Sequence, residues 1–368
     1  MPNDTTAADG PSVLVVGAGP VGLAAAHRLV RNDARVRIID RNDAATPFSK
    51  ALAINVRTLE VLQPSGLSAK LIAAGQKIHR MNLHEGSKKL AVLHLDRLPH
   101  RYNFILSLPQ SETERLLAEG LEALGVRVER KTELVDFEQS SEAVTATLSR
   151  NGGTEAARVD YLVGADGARS NAREILGIEY PGAAHAHHWS LADVYLDWPY
   201  ADDEVSLFMH PEGKVVLVIP MGNRLFRAVA TVPGVLSHLP FGRVQGEVIW
   251  QSEFTTSHHI VESYGSNRVF LCGDAAHIHS PAGGRGMNLG IEEATVLADL
   301  ICKGGLETYS ADRRPAGQSI IRQTDALLKT AARRDPLGRA LRNFVIRFLL
   351  PLEPVQRRVR WRMMGLAD

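Results

Sequence analysis

Apolar and polar positions divide the chain into stretches of different kind. Val13-Leu14-Val15-Val16 is an unbroken apolar run, the pattern of a parallel strand buried on both faces. The helix formers Leu23, Ala24, Ala25, Ala26 and Leu29 follow, Asn32-Asp33 break the pattern, and a second apolar strand begins at Val36-Arg37-Ile38-Ile39. Ser12 to Arg41 therefore predicts a βαβ unit. After a loop over Pro47 to Ile54 and a helix starting at Arg57, short apolar runs alternate with polar residues from Lys77 to Leu108, as in strands. Pro109 to Glu114 carries the marks of a helix N-terminus, with Ser111 as cap and Glu114 three residues on, and that helix ends near Gly125. Strands are expected at Val126-Arg127-Val128, around Leu134-Val135 and at Val144-Thr145-Ala146, with a turn at Asn151-Gly152-Gly153.

Two later apolar strands each end in an acid. Tyr161-Leu162-Val163 runs into Gly164-Ala165-Asp166-Gly167 and a helix, and Arg268 to Leu271 runs into Cys272-Gly273-Asp274. Leu289, Ile291, Ala294, Leu297 and Ile301 recur at helical spacing. The stretch between them differs: Val205 to Met209, Lys214 to Ile219 and Leu225 to Thr231 read as strands joined by short turns at Pro211-Glu212-Gly213 and Gly222-Asn223, hence an antiparallel sheet. The predicted fold class is α/β: a Rossmann-like dinucleotide-binding domain with a parallel sheet, an inserted antiparallel β-sheet domain and C-terminal helices. Residues 1–78, 109–177 and 265–320 make up the first, residues 79–108 and 178–264 the second, and 321–368 a helical tail. In the tail, Arg333, Arg334, Arg339, Arg342 and Arg347 alternate with Leu337, Leu341, Phe344, Phe348 and Leu349. Packing on the dinucleotide domain is the expected role, and contact with a membrane surface or a partner is the alternative.

The glycines supply the chemistry. In Gly17-Ala18-Gly19-Pro20-Val21-Gly22, the first permits the turn out of the strand, the second lets backbone N–H groups approach a pyrophosphate, and the third lets helix pack on strand. Asp40, roughly twenty residues on, can accept from ribose hydroxyls. This unit alone leaves FAD and NAD(P) open. Asp166-Gly167 lies where ligands of open α/β sheets bind, although the aspartate alone can be a helix cap. The decisive feature is Pro281 with Gly283-Gly284-Arg285-Gly286-Met287-Asn288 at a helix N-terminus, a place for something planar and anionic. Asp274 can accept from ribityl hydroxyls and the helix end can stabilise reduced flavin, so the cofactor is FAD.

Composition excludes more than it selects. The chain has 368 residues and a formal net charge of +1, which argues for no nucleic-acid partner. Met1 to Gly10 carries no secretion signal, and Cys272 and Cys302 are the only cysteines, which suits a reducing cytoplasm. Lys50 and Arg57 can reach phosphate or lie solvated on the surface. His185, His187 and His188 invite a metal, but no carboxylate or cysteine pattern accompanies them and a strand with surface histidines is expected. His210 and His258 are candidates to take a substrate proton, with a structural role as the plainer reading.

Together these motifs resemble the single-component FAD-dependent aromatic hydroxylases of the p-hydroxybenzoate hydroxylase type, the class A flavoprotein monooxygenases. The resemblance covers about Val13 to Pro315. It rests on GAGPVGLAAA at Gly17, SKALAINVRTLEVL at Ser49, LPQSETERLL at Leu108, VGADGARSNAR at Val163, VFLCGDAAHIHSPAGGRGMNLGIEEA at Val269 and YSADRRP at Tyr309. It implies that Gly17, Gly19, Pro20 and Gly22 hold the pyrophosphate, Asp40 the adenosine ribose, and Arg41, Lys50 and Gln110 the phosphate and ribityl region. Asp166 and Gly167 would belong to a motif serving both FAD and nicotinamide; Gly273 and Asp274 would bind the ribityl chain, and Pro281, Gly284, Gly286, Met287 and Asn288 would line the flavin ring. It further implies reduction by NADPH or NADH, O₂ addition as a flavin C4a-hydroperoxide, and hydroxylation of a phenolic or polyketide- or quinone-like aromatic substrate. No residue is singled out as catalytic and no metal is implied. The chain departs from the family at Glu292-Glu293, at Lys50, and in a short link from Pro233 to Trp250. A flavin halogenase of the same fold is disfavoured because Trp189, Trp198 and Trp250 stand isolated, outside the Trp-x-Trp-x-Ile-Pro signature. A non-catalytic FAD-binding redox sensor is the remaining alternative.

Overall fold

The computed structural model describes residues 10–47 and 51–366, and within 184–187 the backbone alone. It begins with the predicted unit: β1 (Ser12–Val16), α1 (Pro20–Arg31) and β2 (Arg35–Asp40). Val13, Leu14 and Val15 are wholly buried, as a strand covered on both faces requires. Short elements follow: β3 (Ala53–Ile54), α2 (Val56–Leu62), α3 (Leu67–Ala74) and β4 (Gln76–Ile78). A hairpin of β5 (Arg80–Glu85) and β6 (Lys88–His94) comes next, then β7 (Ile105–Ser107) and α4 (Gln110–Glu122).

Helix α4 corrects one expectation. Its N-cap is Pro109, not Ser111, because the Pro109 carbonyl already accepts from the Thr113 amide at 3.0 Å and opens the helix before the serine. Beyond it run β8 (Val128–Arg130), β9 (Thr132–Gln139), β10 (Val144–Arg150), β11 (Gly153–Val159), β12 (Tyr161–Gly164) and α5 (Asn171–Ile175). The antiparallel region comprises β13 (Gly182–Asp197), β14 (Glu204–Met209), β15 (Val215–Gly222), β16 (Leu225–Ala230) and the long β17 (Arg243–Ile260). The chain closes with β18 (Gly265–Ser266), β19 (Val269–Leu271), β20 (His277–Ile278), α6 (Gly286–Lys303), α7 (Tyr309–Ala331), α8 (Pro336–Phe344) and α9 (Glu353–Met363).

Two sheets dominate. The first has the order β18-β19-β12-β1-β2-β8, parallel from β19 to β8. The second has the order β20-β17-β13-β16-β15-β14-β5-β6, and its β5 joins β14 in parallel across a long sequence separation. Helix α1 is clamped to α6 by Arg28, whose guanidinium donates to both Asp299 oxygens at 2.7 Å. Although burial opposes it, hydrogen bonds from Arg28, Asn32 and Lys303 hold the Asp299 carboxyl down at about 2.

The tail corrects a second expectation, since it packs chiefly on the antiparallel sheet. Strand β6 is an edge strand with unsatisfied backbone groups. Gln356 of α9 meets them, accepting from the His94 amide at 3.2 Å and donating to the Val92 carbonyl at 3.1 Å. Arg339, Arg342 and Asn343 of α8 converge on Glu85 of β5. The tail also touches the dinucleotide domain at two places, where Gln323 of α7 accepts from Arg285 at 3.2 Å and where the Arg57 amide of α2 donates to the Met364 carbonyl at the end of α9.

Candidate functional site

Strands β2, β1, β12 and β19 lie side by side and end at Asp40, Gly17, Asp166 and Asp274, so acids from three distant parts of the sequence occupy one edge of one sheet. A cleft of about 230 Å³ runs along this edge between Asp40 and Asp166. Gly17 has φ +101°, and a Cβ there would meet the Ala165 carbonyl at 2.3 Å. A Cβ on Gly22 would fall 1.9 Å from the Gly17 carbonyl, so the helix can start this close to the strand only without one. Gly19 is the opposite case: nothing lies within 4 Å of its Cβ position, and it faces the open cleft. The first turn of α1 thus offers unobstructed N–H groups and a positive helix end to an anion.

Asp40 is buried and does two things. Its carboxylate accepts from the Ala18 and Asn42 amides, both at 2.8 Å, fixing the glycine turn, and the residue also lines the cleft. Arg130 stands 3.7 Å away. Arg41 and Gln110 also line the cleft, and Gln110 donates to Glu114 at 2.7 Å. Glu114 was legible only as a helix signal. Burial pushes its carboxyl up, and with Arg130 and Asn171 it belongs to the cleft wall. Asp166 combines both of its sequence readings: it lines the cleft and also receives the Ser170 hydroxyl and the Ala172 amide at the start of α5. Burial raises its carboxyl above the ordinary range. Gly167, with φ +80°, leaves open space beside it.

The far end is built from α6. The Gly273 turn that carries Asp274 presses on the first turn of α1, its Cβ position lying 3.0 Å from Val21, and Gly290 of α6 meets both Val21 and Gly273. The N-terminal turns of α1 and α6 are therefore neighbours, with Asp274 exposed beside them and its carbonyl held by the Tyr180 hydroxyl at 2.8 Å. Gly283 and Gly284 take φ +86° and +61°, and Pro281 precedes them in the same loop. Asn288 spends its side chain on the protein: its oxygen accepts from the Asn55 amide and Thr58 hydroxyl, and its nitrogen donates to Ala53 and Gly284. Its side chain therefore ties the 53–58 segment and Gly284 to the first turn of α6.

Beneath this loop is a buried polar hub that the sequence showed only as an unusual Glu292-Glu293 pair. Glu293, wholly buried, accepts from the Gly273 amide at 3.0 Å and from His277 at 2.9 Å. Glu292 pairs with Arg313 at 3.1 Å. His279 donates from Nδ1 to the Ser280 carbonyl at 2.7 Å and is held neutral, burial lowering it to about 4.

Other candidates fall elsewhere. Lys50 lies outside the described residues. Arg57 stands 3.7 Å from both Glu60 and Glu292, on the surface. His188 is exposed on β13, the side chains of His185 and His187 are outside the described set, and among the described residues no three His, Cys, Asp or Glu are grouped to hold a metal. His210 sits in the turn before Lys214, His258 on β17.

A face of the antiparallel sheet turns toward the same region. On β13, β16 and β17, alternation puts Trp189, Leu191, Asp193, Arg227, Val229, Trp250 and Phe254 on one side. Arg227 and Asp193 form a buried bidentate pair with both bonds at 2.8 Å, and the guanidinium reaches the Ala51 carbonyl at 3.4 Å. Ala53, two residues on, is the residue that Asn288 ties to α6. Aromatic wall and α6 N-terminus are thereby held on either side of one loop.

The cleft, the open glycines and the acids at three strand ends fit FAD: a Cβ-free turn for the pyrophosphate, acceptors for two sets of hydroxyls, and a second helix end for the ring. Comparison with known proteins agrees. A family model described as "FAD binding domain" matches residues 11–235 and 230–324. The 6-methylpretetramide 4-monooxygenase of Streptomyces rimosus is 37% identical over 385 residues, covering 97% of this chain and 69% of that protein. The solved anhydrotetracycline hydroxylase from Streptomyces rimosus is 29% identical with a TM-score of 0.79, over 97% of this chain and 76% of that one. The p-nitrophenol 4-monooxygenase structure from Pseudomonas putida DLL-E4 shares the fold, with a TM-score of 0.88 at 23% identity over 97% and 98% of the two chains.

Proposed function

Because the chain belongs to the FAD-binding family of aromatic monooxygenases, we propose that it hydroxylates a fused-ring phenol of polyketide type at the expense of NADPH or NADH and O₂. The balance is one reduced nicotinamide, one proton and one O₂ consumed per aromatic C–H converted to C–OH, with water and oxidised nicotinamide released. FAD, when bound, takes the hydride and activates oxygen. The chain's residues do the rest by position. The first turn of α1 receives the pyrophosphate, Asp40 the adenosine ribose and Asp274 the ribityl hydroxyls, while the N-terminus of α6 stabilises negative charge on the reduced ring by about 1–2 kcal/mol. Asn288 and Glu293 hold the loop and the Gly273 turn that carry those groups.

The observation that carries the substrate reading is the width of the aromatic wall. Trp189 and Phe254 stack with ring centroids 6.4 Å apart, and Trp250 lies two register steps along the same face, against Arg227. At about 3.3 Å per residue the four steps from Trp189 to Asp193 extend the wall by roughly 13 Å, which suits several fused rings better than one. The relatives named for a pretetramide and an anhydrotetracycline support the same class. Cys272 and Cys302, both unpaired thiols, suit a reducing compartment.

An oxygen electrode tests this. With NADPH or NADH, uptake is expected to rise about tenfold or more on adding a fused tricyclic or tetracyclic phenol, and less with single-ring phenols. Stimulation by single-ring phenols alone would remove the fused-ring assignment, and stimulation by no aromatic compound would remove the hydroxylase assignment for this chain.

A further inference from the structure

Helix α8 is docked the wrong way round for a soluble protein. An amphipathic helix normally turns its apolar stripe to the core. Here the polar side faces the fold, where Arg342 is buried, donates to the Ala331 carbonyl at 2.8 Å and meets Glu85 together with Arg339 and Asn343. The apolar side faces out: Leu337 is 85% exposed, Leu341 64% and Phe344 53%, at spacings of four and three residues that align them on one face, and the stripe continues to Phe348, 55% exposed, in the π-helical turn Val345–Leu349 that follows α8. Phe344 and Phe348 touch, with ring centroids 5.1 Å apart. Among the described residues, seven of the fourteen exposed large apolar side chains fall between Leu337 and Leu352. Isolated exposed leucines mean little, but a contiguous stripe of this kind marks a contact surface.

Charge selects the occupant. Residues 331–368 hold nine arginines and three acids, in a chain whose formal net charge is +1, so the remainder is net negative. Arg347 is exposed over the Phe348 ring at 5.6 Å, and Arg357 and Arg358 are exposed on α9. Pairing two copies through this face would set the same cations against each other. An anionic phospholipid surface is complementary on both counts: it buries the stripe at the headgroup boundary and attracts this end of the molecule while repelling the rest. We propose that the α8 stripe, with its arginine surround, is a docking surface for anionic membranes, on which the enzyme rests peripherally. Among the described residues no helix is long and apolar enough to cross a bilayer.

The full chain, loaded with FAD, is mixed with phosphatidylcholine vesicles or with equal phosphatidylcholine and phosphatidylglycerol, then sedimented at low and high salt. Partition into the anionic vesicles is expected to exceed that into neutral ones by about tenfold or more and to weaken with salt. The double variant Leu341→Glu, Phe344→Glu changes only exposed positions, so its melting temperature and flavin content should match the parent while vesicle binding is lost. Equal binding to both vesicles, no binding to either, or unchanged binding by the variant would overturn the proposal. So would light scattering showing a dimer that the variant dissociates, since the stripe would then be a self-interface.

Discussion

Asp274→Ala is expected to purify as a folded protein that loses most of its flavin on gel filtration. The side chain is exposed in the turn after β19, so truncation opens no cavity and the stability should stay within about 0.5 kcal/mol of the parent's. The backbone carbonyl that holds Tyr180 is untouched. On the proposed placement the substitution removes a charged acceptor for the ribityl hydroxyls, a bond of about 1.5–3 kcal/mol, or roughly 10- to 100-fold in affinity. Asp274→Asn keeps an acceptor oxygen and should retain more. Flavin absorbance per polypeptide, read beside a thermal melt, decides the matter: stoichiometric flavin in the alanine variant would show that the third acid does not touch the cofactor.

Glu293→Gln should do the reverse and damage the fold first. The carboxylate is wholly buried and holds both His277 and the Gly273 amide. Burial by itself would lower His277, but the charge and hydrogen bond of Glu293 raise it above its ordinary 6.5. Removing the anion deprives the buried imidazolium of its partner, a cost of about 3–5 kcal/mol at low pH, which falls away at higher pH because the imidazole then gives up its proton. The sign of the pH dependence follows. A raised native pKa contributes stability in full below the unfolded value of 6.5, and that contribution is lost as pH rises through the raised native value. The stability gap between parent and variant, measured by denaturant unfolding, should therefore be largest below pH 6.5 and narrow above it. A gap independent of pH would mean that His277 is neutral in the native protein.

How far these positions were legible in the sequence depends on how local their cause is. The β1-α1-β2 unit could be read because its signals are short-range: a fully apolar strand, glycines whose missing Cβ atoms permit contacts under 3 Å, and Asp40 at the strand end. The ordered strands ending in Asp166 and Asp274 were readable for the same reason. Glu114, Arg130 and Asn171 were not, because they reach the cleft from α4, β8 and α5, and nothing in their own neighbourhoods says so. In sequence Glu114 reads as the capping partner of Ser111, whereas the helix opens earlier, with Pro109 as its N-cap. Asn288 reads in sequence as a lining residue, and what the sequence does not show is that its side chain makes four hydrogen bonds that tie Asn55, Thr58, Ala53 and Gly284 together. The tail shows the limit most plainly. Its amphipathic pattern was visible, but the pattern cannot say which side turns inward, and here an unsatisfied edge strand and Glu85 took the polar side.

The central claim is that a flavin held along this sheet edge delivers oxygen to an aromatic ring lying under the wall of Trp189, Trp250 and Phe254. Turnover under oxygen-18 gas with a fused-ring phenol and reduced nicotinamide tests it most directly. One labelled oxygen atom per product molecule is the predicted result. A product without label, with all the gas recovered as hydrogen peroxide or water, would contradict it.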